Sequence, residues 1–309
     1  MKAIQMIDYG EPDVLELREI DDPTAGEGEI VVDIHAASIN PVDWKIRNGA
    51  RRGTFDIELP HVLGVDFSGV VRETGPGVTE LAVGDEVFGV VTQVQQGCYA
   101  EALAVRADMV GRKPASLSHG EAASLALVGV TALYAMEDVA ELSAGQTVLI
   151  HAGAGGVGGF AIQYARHVGA TVYSTASAAN HDYVKALGAD EVIDYTAGDF
   201  ADSVPPCDVV FDTVGGEVQA RSYAVLKPGG RLVHVAPGPQ DFTPPRDDVE
   251  LLRPAVGRDR QHMERIAELV AEGAVRPLEI THMKLAETAA GHELSQTGHV
   301  RGKIVLDIA

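Results

Sequence analysis

The second half of the chain alternates short apolar runs with segments whose apolar positions recur at helical spacing. The apolar runs lie at residues 148–152, 171–174, 191–194, 208–212 and 231–235. The helical segments lie at residues 180–187, 218–226 and 262–272. Strands that alternate with helices are typical of a doubly wound parallel sheet, so this half predicts an α/β domain.

The first 120 residues have a different pattern, with short β-rich runs and no helical periodicity. Runs such as residues 30–34 and 68–72 are separated by turn signals such as Pro76-Gly77, which predicts a mostly antiparallel β domain. The Ala-rich stretch 119–140 predicts a helix out of this domain, interrupted at Gly129. The apolar run 303–308 predicts a last strand that returns to it.

One glycine-rich turn follows the apolar run Thr147-Val148-Leu149-Ile150 and precedes a helical segment. Its glycines at 153, 155 and 158 fit G-x-G-x-x-G, in which the glycines allow a tight turn, backbone approach to a pyrophosphate and close packing of helix on strand. A helix N-terminus also offers N–H groups to phosphates. A plain tight turn is the alternative, but the β/α pattern downstream favours a dinucleotide. The predicted cofactor-binding residues are Gly153, Ala154, Gly155, Gly156, Val157 and Gly158.

Composition narrows the class of partner and the compartment. The chain has 309 residues and a net charge of −21, which argues against binding to nucleic acid or acidic membranes. We find no run long enough to span a bilayer and no signal peptide at Met1, so we expect a soluble, cytoplasmic protein. The two cysteines, Cys98 and Cys207, lie far apart and predict neither a disulfide framework nor a zinc lobe.

Several motifs resemble the medium-chain dehydrogenase/reductase superfamily, in its quinone oxidoreductase (zeta-crystallin-like) branch. They occur in the expected order over essentially the whole chain. They include Asn40-Pro41-Val42-Asp43, Gly64-Val65-Asp66, Val83-Gly84-Asp85, Gly129-Val130-Thr131-Ala132, Asp212-Thr213-Val214-Gly215 and Gly302-Lys303-Ile304. The resemblance implies a GroES-like β domain, residues 1–122 completed by 262–309, around a Rossmann NADP-binding domain, residues 123–261. It also implies cofactor binding in the cleft between the domains and a homodimer, in which we expect residues 252–258 to form the paired edge strand.

The same resemblance predicts that no metal is used. Zinc-dependent members place ligands where this chain has Asn40, Val65 and Leu127. A carboxamide, a valine and a leucine do not make a zinc site, which needs thiolate, imidazole or carboxylate ligands.

By resemblance, two residues face the nicotinamide and are the predicted catalytic residues. Asn40, expected to be exposed, has an N–H₂ that could stabilise an oxyanion, although Asn before Pro41 is also a common turn residue. Thr131 is expected beside the nicotinamide, although a Thr inside a helix often bonds its own backbone. Val214 and Lys303, from matched motifs, complete the expected cofactor contacts.

The end of the second strand of the α/β half predicts NADPH over NADH. NAD enzymes usually carry an acidic residue there, whereas residues 174–181 contain none. Ser177 can donate a hydrogen bond to a 2′-phosphate, and Tyr195 stands where the branch carries a Tyr. His181 replaces the usual Lys and is a weaker, pH-dependent partner. The alternative for Ser177 is a helix N-cap.

Together these features predict an NADPH-dependent quinone oxidoreductase that transfers hydride, without zinc, to a small conjugated carbonyl compound. A 2-alkenal or enone double-bond reductase is the closest alternative, because it needs the same hydride geometry. An NADPH-binding regulatory or structural protein with little turnover is the alternative from another class.

Overall fold

The computed structural model describes residues 1–55 and 57–309. Its strands are β1 Lys2–Met6, β2 Leu15–Glu19, β3 Glu29–Ile39, β4 His61–Val62, β5 Asp66–Thr74, β6 Glu86–Val90, β7 Ala102–Arg106, β8 Val110–Arg112, β9 Thr147–Ile150, β10 Thr171–Ala176, β11 Glu191–Asp194, β12 Cys207–Asp212, β13 Leu226–His234, β14 Glu250–Leu252, β15 Ile280–Lys284 and β16 Lys303–Asp307. Its α-helices are α1 Pro41–Arg47, α2 His119–Leu133, α3 Gly156–His167, α4 His181–Leu187, α5 Glu217–Ser222, α6 Arg260–Ala271 and α7 Thr288–Gln296. The chain divides into two compact units, Met1–Leu127 with Arg258–Ala309, and Val128–Gly257.

The first unit is built from two sheets. A seven-stranded sheet has the order β15-β16-β3-β5-β6-β8, with β7 paired to β3, and a three-stranded sheet has the order β2-β1-β4. All pairs except β15 with β16 are antiparallel. The long strand β3 lies at the centre, and its apolar residues Ile30, Val32 and Ile34 are buried in the core with Phe67 of β5.

The second unit is a six-stranded sheet in the order β11-β10-β9-β12-β13-β14, in which every neighbouring pair is parallel. The order along the sheet reverses direction between β9 and β12, and ligands of such sheets bind at the carboxyl ends of strands around this point. The sheets of the two units confirm the predicted α/β class, with one antiparallel and one parallel part.

Three predicted elements differ from the structure. Helix α2 runs through Gly129 without interruption and continues as a π-helical turn, Tyr134–Val139, because buried neighbours such as Val128 and Val130 outweigh the modest helix cost of one glycine. The segment predicted as a helix at 218–226 ends as α5 at Ser222, and Leu226 already begins β13.

The edge strand also lies earlier than expected. β14 ends at Leu252, and residues 253–259 have no regular structure, so the expected strand at 252–258 is wrong. Pro254 has no N–H to donate to a ladder, and it ends the pairing there.

One helical segment changes the expectation about membrane spans. His119–Val139 is long and apolar enough to cross a membrane by length and composition, contrary to our prediction from the sequence. However, 67% of its most apolar window is buried inside the protein, which is typical of the core helix of a soluble fold.

Candidate functional site

The glycine-rich turn lies at the carboxyl end of β9, at the switch point of the parallel sheet. It is tied to the neighbouring strand β10, because the Gly153 N–H donates to the Thr175 carbonyl at 3.0 Å and the Ala152 N–H to Thr175 Oγ1 at 3.2 Å. Helix α3 then starts at Gly156, with Gly155 as its N-cap. The turn thus presents the first amides of α3 at this edge of the sheet, as a pyrophosphate requires.

The three motif glycines have different surroundings. A Cβ on Gly153 would lie 2.1 Å from Ser174 Oγ, and one on Gly158 would lie 2.4 Å from the Ala152 carbonyl oxygen. These two glycines therefore allow close packing of α3 and the turn. A Cβ on Gly155 would meet only the Ala152 carbonyl oxygen, at 3.5 Å, so the space beside this glycine is open. The turn therefore fits a dinucleotide, with Gly155 on its accessible side.

The other predicted cofactor residues of this unit follow the neighbouring strands. Ser177 follows β10, Tyr195 follows β11 and Val214 follows β12, so all three lie at the edge that carries the glycine turn. Tyr195 and Val214 are both 49% exposed, and the Val214 N–H donates to Asp212 Oδ1 at 2.9 Å. The structure thus brings these predicted residues to one edge.

Ser177 does not act as the helix N-cap that was its alternative role, and one ring nitrogen of His181 is unpaired within the described part of the chain. Ser177 precedes a short 3₁₀ turn, but its side chain makes no capping bond, and its Oγ accepts from Asn180 Nδ2 at 3.2 Å. Its own hydroxyl hydrogen can therefore be donated to another group. His181 begins α4, and its buried Nε2 has no hydrogen-bond partner among the described residues.

His151, next to the turn, is a structural residue. It is 1% exposed, and its ring nitrogens contact Thr175 Oγ1 at 3.1 Å and Ser222 Oγ at 3.0 Å. Burial lowers the pKa of His151 to about 3, so the ring is neutral and cannot donate a proton to a substrate near neutral pH.

Asn40, in the first unit, is not exposed as we expected. Asn40 is 2% exposed, and its carboxamide lies inside a polar cluster. Asn40 Nδ2 has three acceptors: Asp66 Oδ1 at 2.8 Å, the Ser38 carbonyl at 3.2 Å and Ser38 Oγ at 3.4 Å. Its Oδ1 accepts from Lys303 Nζ at 2.6 Å. The expectation that the Asn40 N–H₂ is exposed to solvent is therefore wrong, because its hydrogen bonds are already satisfied within the protein.

A buried pair of opposite charges surrounds this carboxamide. Asp66 is fully buried and accepts from Ser38 Oγ at 2.7 Å, from Asn40 and, at 3.4 Å, from the Leu127 N–H. Lys303 is 4% exposed, and its ammonium donates to Asn40 and to the Ile39 carbonyl at 3.2 Å. Asp66 meets only donors and Lys303 only acceptors, which favours a carboxylate and an ammonium.

Burial opposes the ionisation of Asp66 and Lys303, whereas the attraction between their opposite charges favours it. Burial raises the pKa of Asp66, and the charge of Lys303 acts against that rise. Burial lowers the pKa of Lys303, and the charges of Asp66 and Asp43 act against that fall.

Asp43 extends the cluster toward α1. Its Oδ2 accepts from the Asn40 backbone N–H and from the Tyr99 hydroxyl, both at 2.7 Å, so Asp43 is a structural hydrogen-bond acceptor. Burial nevertheless raises the pKa of Asp43 to about 7, against the effect of these hydrogen bonds.

The cluster does not fit a zinc ion. Positions 40, 65 and 127 do converge, since Asp66 contacts both Asn40 and the Leu127 N–H, but they supply a carboxamide, a valine and a leucine. The lone pair of Asn40 Oδ1 already faces an ammonium. Within residues 1–55 and 57–309, no group of three or more His, Cys, Asp or Glu could hold a metal.

Of the other predicted residues, Thr131 lies half-buried in α2 and belongs to the second unit. Lys303 lies with Asn40 in the first unit. Ser38 and the role of Asp66 were not predicted from the sequence, although an Asp inside the apolar run Leu63-Gly64-Val65-Asp66-Phe67 is a signal of a buried, partnered carboxylate.

Comparison with known proteins agrees with this architecture. Residues 26–128 match the family model "Alcohol dehydrogenase GroES-like domain", and residues 187–306 match "Zinc-binding dehydrogenase". The chain is 37% identical to 2-methylene-furan-3-one reductase of Solanum lycopersicum, and 35% identical to an NADPH-dependent alkenal/one oxidoreductase of Arabidopsis thaliana chloroplasts. Each alignment covers 99% of this chain and 79% of the relative.

Among solved structures, the quinone oxidoreductase of Coxiella burnetii superposes with a TM-score of 0.91 at 38% identity, covering 100% of this chain and 99% of that one. The relatives and this neighbour are oxidoreductases of enones, alkenals or quinones, which agrees with the predicted class. The chain belongs to the medium-chain dehydrogenase/reductase superfamily, among the zeta-crystallin-like quinone and enone oxidoreductases.

Proposed function

We propose that this protein is an NADPH-dependent reductase that delivers hydride to a quinone or an α,β-unsaturated carbonyl compound without a metal. The observation that carries the proposal is the glycine turn, whose open side at Gly155 lies at the switch point of the parallel sheet. The relatives' names support the hydride acceptor: both curated relatives reduce enone-type compounds, and the solved neighbour is a quinone oxidoreductase.

NADPH supplies the hydride when it is bound. The glycine turn and the N-terminus of α3 would hold its pyrophosphate. Ser177, His181 and Tyr195 would meet the 2′-phosphate, Val214 would border the cofactor, and no acidic residue among 174–181 would repel it. We assign this role to residues 123–261 and the acceptor site to residues 1–122 with 262–309.

The acceptor follows from the groups that the chain offers. A simple ketone becomes a basic alkoxide and needs a metal or a strong proton donor, whereas a quinone or enone spreads its charge onto a delocalised oxygen. Asn40 and Thr131 are the proposed residues at the reacting centre. With its N–H groups engaged by Asp66 and Ser38, Asn40 can donate to an oxyanion by sharing or exchanging one of these bonds.

We also propose a homodimer and a cytoplasmic location. β14 is the last strand of the parallel sheet, and pairing with a second copy would satisfy its outer backbone groups.

The function is tested by NADPH oxidation with quinones, enones and saturated aldehydes as acceptors. We expect turnover with the conjugated acceptors and little with saturated aldehydes. Brisk reduction of saturated aldehydes alone would contradict the proposal. Tight NADPH binding with no turnover on any acceptor would favour a regulatory or structural role instead.

The cofactor site has its own test. Gly155 has φ −82° and open space, so Gly155→Ala should fold normally but keep a pyrophosphate from the backbone and weaken NADPH binding at least about tenfold. Gly198→Ala is the matched control, because a Cβ there has no neighbour within 4 Å and Gly198 lies outside the glycine turn. Equal NADPH affinity in both variants would refute the assignment of the turn.

A further inference from the structure

The carboxamide of Asn40 lies between a buried cation and a buried anion. Its Oδ1 faces Lys303 Nζ at 2.6 Å, and its Nδ2 faces Asp66 Oδ1 at 2.8 Å. The reversed amide would place its N–H₂ against the ammonium and its oxygen against the carboxylate. The two charges therefore allow a single orientation of this amide.

The sheet fixes where the ammonium lies. β16 pairs with β3 so that Ile304 stands opposite Ile39, which puts Lys303 and Asn40 next to each other just beyond this pair. The Lys303 N–H also donates to the Glu279 carbonyl at 2.9 Å. With the backbone held on two sides and the ammonium bonded to the Ile39 carbonyl, Lys303 has little freedom to turn away from Asn40.

We propose that Lys303 is a positioning residue for the reductase reaction, which acts through Asn40 and does not itself bind the cofactor. This inference rests on the proposed function, and it replaces the cofactor contact that the sequence motif implied for Lys303. Lys303 and Asp66 together hold the amide dipole of Asn40 in one direction, so the orientation of the carboxamide is set before hydride transfer begins.

The proposal predicts a pattern of kinetic coupling that a cofactor contact or a purely structural role would not produce. Lys303→Met keeps an unbranched apolar chain and removes the ammonium with its charge. In the wild-type background it should lower kcat about tenfold to a hundredfold, which does not exceed the loss expected for Asn40→Ala, because Lys303 acts only through Asn40. In an Asn40→Ala background the same change should alter kcat less than about twofold, because the group that Lys303 orients is absent.

Three measurements separate the roles: kcat, the KM for the acceptor, and the NADPH dissociation constant from fluorescence titration. We expect kcat to fall while NADPH affinity stays within about twofold of the wild type. Lys227→Met is the matched control, since Lys227 also bonds an aspartate, Asp208, at 2.8 Å but is 40% exposed and lies in the other unit. It should leave kcat and NADPH affinity unchanged.

Two results would overturn the proposal. Equal losses of kcat from Lys303→Met in both backgrounds would show an effect that does not pass through Asn40. A large rise in the NADPH dissociation constant in both backgrounds would show that Lys303 serves the cofactor. If Lys303→Met does not fold, Asp66→Asn tests the same coupling, because an amide at position 66 can face Asn40 with either its oxygen or its nitrogen.

A readout without turnover distinguishes this inference from the proposed function. The side-chain amide signals of Asn40 are identified by nuclear magnetic resonance through their loss in Asn40→Ala. Lys303→Met should shift these signals and speed their hydrogen exchange, whereas Lys227→Met should not. Unchanged Asn40 signals in Lys303→Met would refute the positioning role, even if the protein reduced none of the acceptors and the proposed function failed.

Discussion

Ionisation of Asp43 should make the protein less stable as the pH rises. Its carboxyl is fully buried, and Oδ1 has no hydrogen-bond partner among the described residues, whereas Oδ2 accepts from Asn40 and Tyr99. Burial raises the pKa of this group to about 7. Asp43→Asn resembles the protonated acid in shape, keeps an oxygen for both donors and cannot ionise.

The size of the effect follows from the two pKa values of the Asp43 carboxyl, 3.8 for a free carboxyl and about 7 in the folded protein. The folded state holds the proton more tightly, so this contribution to stability is complete below pH 3.8 and is lost as the pH rises to 7. Each pKa unit corresponds to about 1.36 kcal/mol. Between about pH 5 and pH 8, the free energy of unfolding of Asp43→Asn should therefore gain roughly 3 kcal/mol relative to the wild type.

Urea unfolding at several pH values, followed by tryptophan fluorescence, measures this difference. Trp44 is the single tryptophan and follows Asp43 in α1, so its signal reports the unit in question. Asp85→Asn is the control, since hydrogen bonds from Ala82 and Arg112 lower the pKa of Asp85, and its difference from the wild type should stay constant over this range. If Asp43→Asn were destabilised equally at every pH, Asp43 would be ionised throughout and the reasoning would be wrong.

Four further outcomes are expected. The purified protein should contain no stoichiometric zinc after dialysis against a chelator, as elemental analysis will show, and about one retained zinc per chain would contradict this. Ser177→Asp should raise the dissociation constant of NADPH and leave that of NADH nearly unchanged. A wild type that binds NADH more tightly than NADPH would contradict the assignment of Ser177, at the end of β10, to the 2′-phosphate. Asn40→Ala should lower turnover about tenfold to a hundredfold, near 1.4–2.8 kcal/mol, with unchanged NADPH affinity, and unaltered turnover would remove Asn40 from the reaction. Light scattering at micromolar concentration should give the mass of a dimer, and a monomer mass would count against pairing through β14.

The parallel sheet was predictable because its evidence is local. Each strand has apolar residues at its centre, and a helical segment or a turn separates it from the next. The prediction for β11, at 191–194, agrees with its bounds, Glu191–Asp194. The glycine turn was predictable for the same reason, since the strand, the turn and the helix are adjacent in the chain.

The polar cluster was not predictable, because its members are far apart in sequence. Asn40 and Lys303 are brought together by the pairing of β3 with β16, and periodicity does not reveal which strands pair. Without that pairing, Asn40 next to Pro41 is interpreted as an exposed turn residue. The available signal was chemical: Asp66 and Lys303 are opposite charges at the starts of apolar strands, and such residues are rarely buried without a partner.

The order in which the ribosome makes Asp66 and Lys303 determines when the polar cluster can form. The first unit is discontinuous, because all strands of the second unit lie between its two parts in sequence. During synthesis, Asp66 emerges long before Lys303, which lies near the end of the chain. Until β16 is available, burying Asp66 would leave a carboxylate without its cation, at a cost of several kcal/mol. The polar cluster of the first unit can therefore be completed only after the residues of the parallel sheet have all emerged.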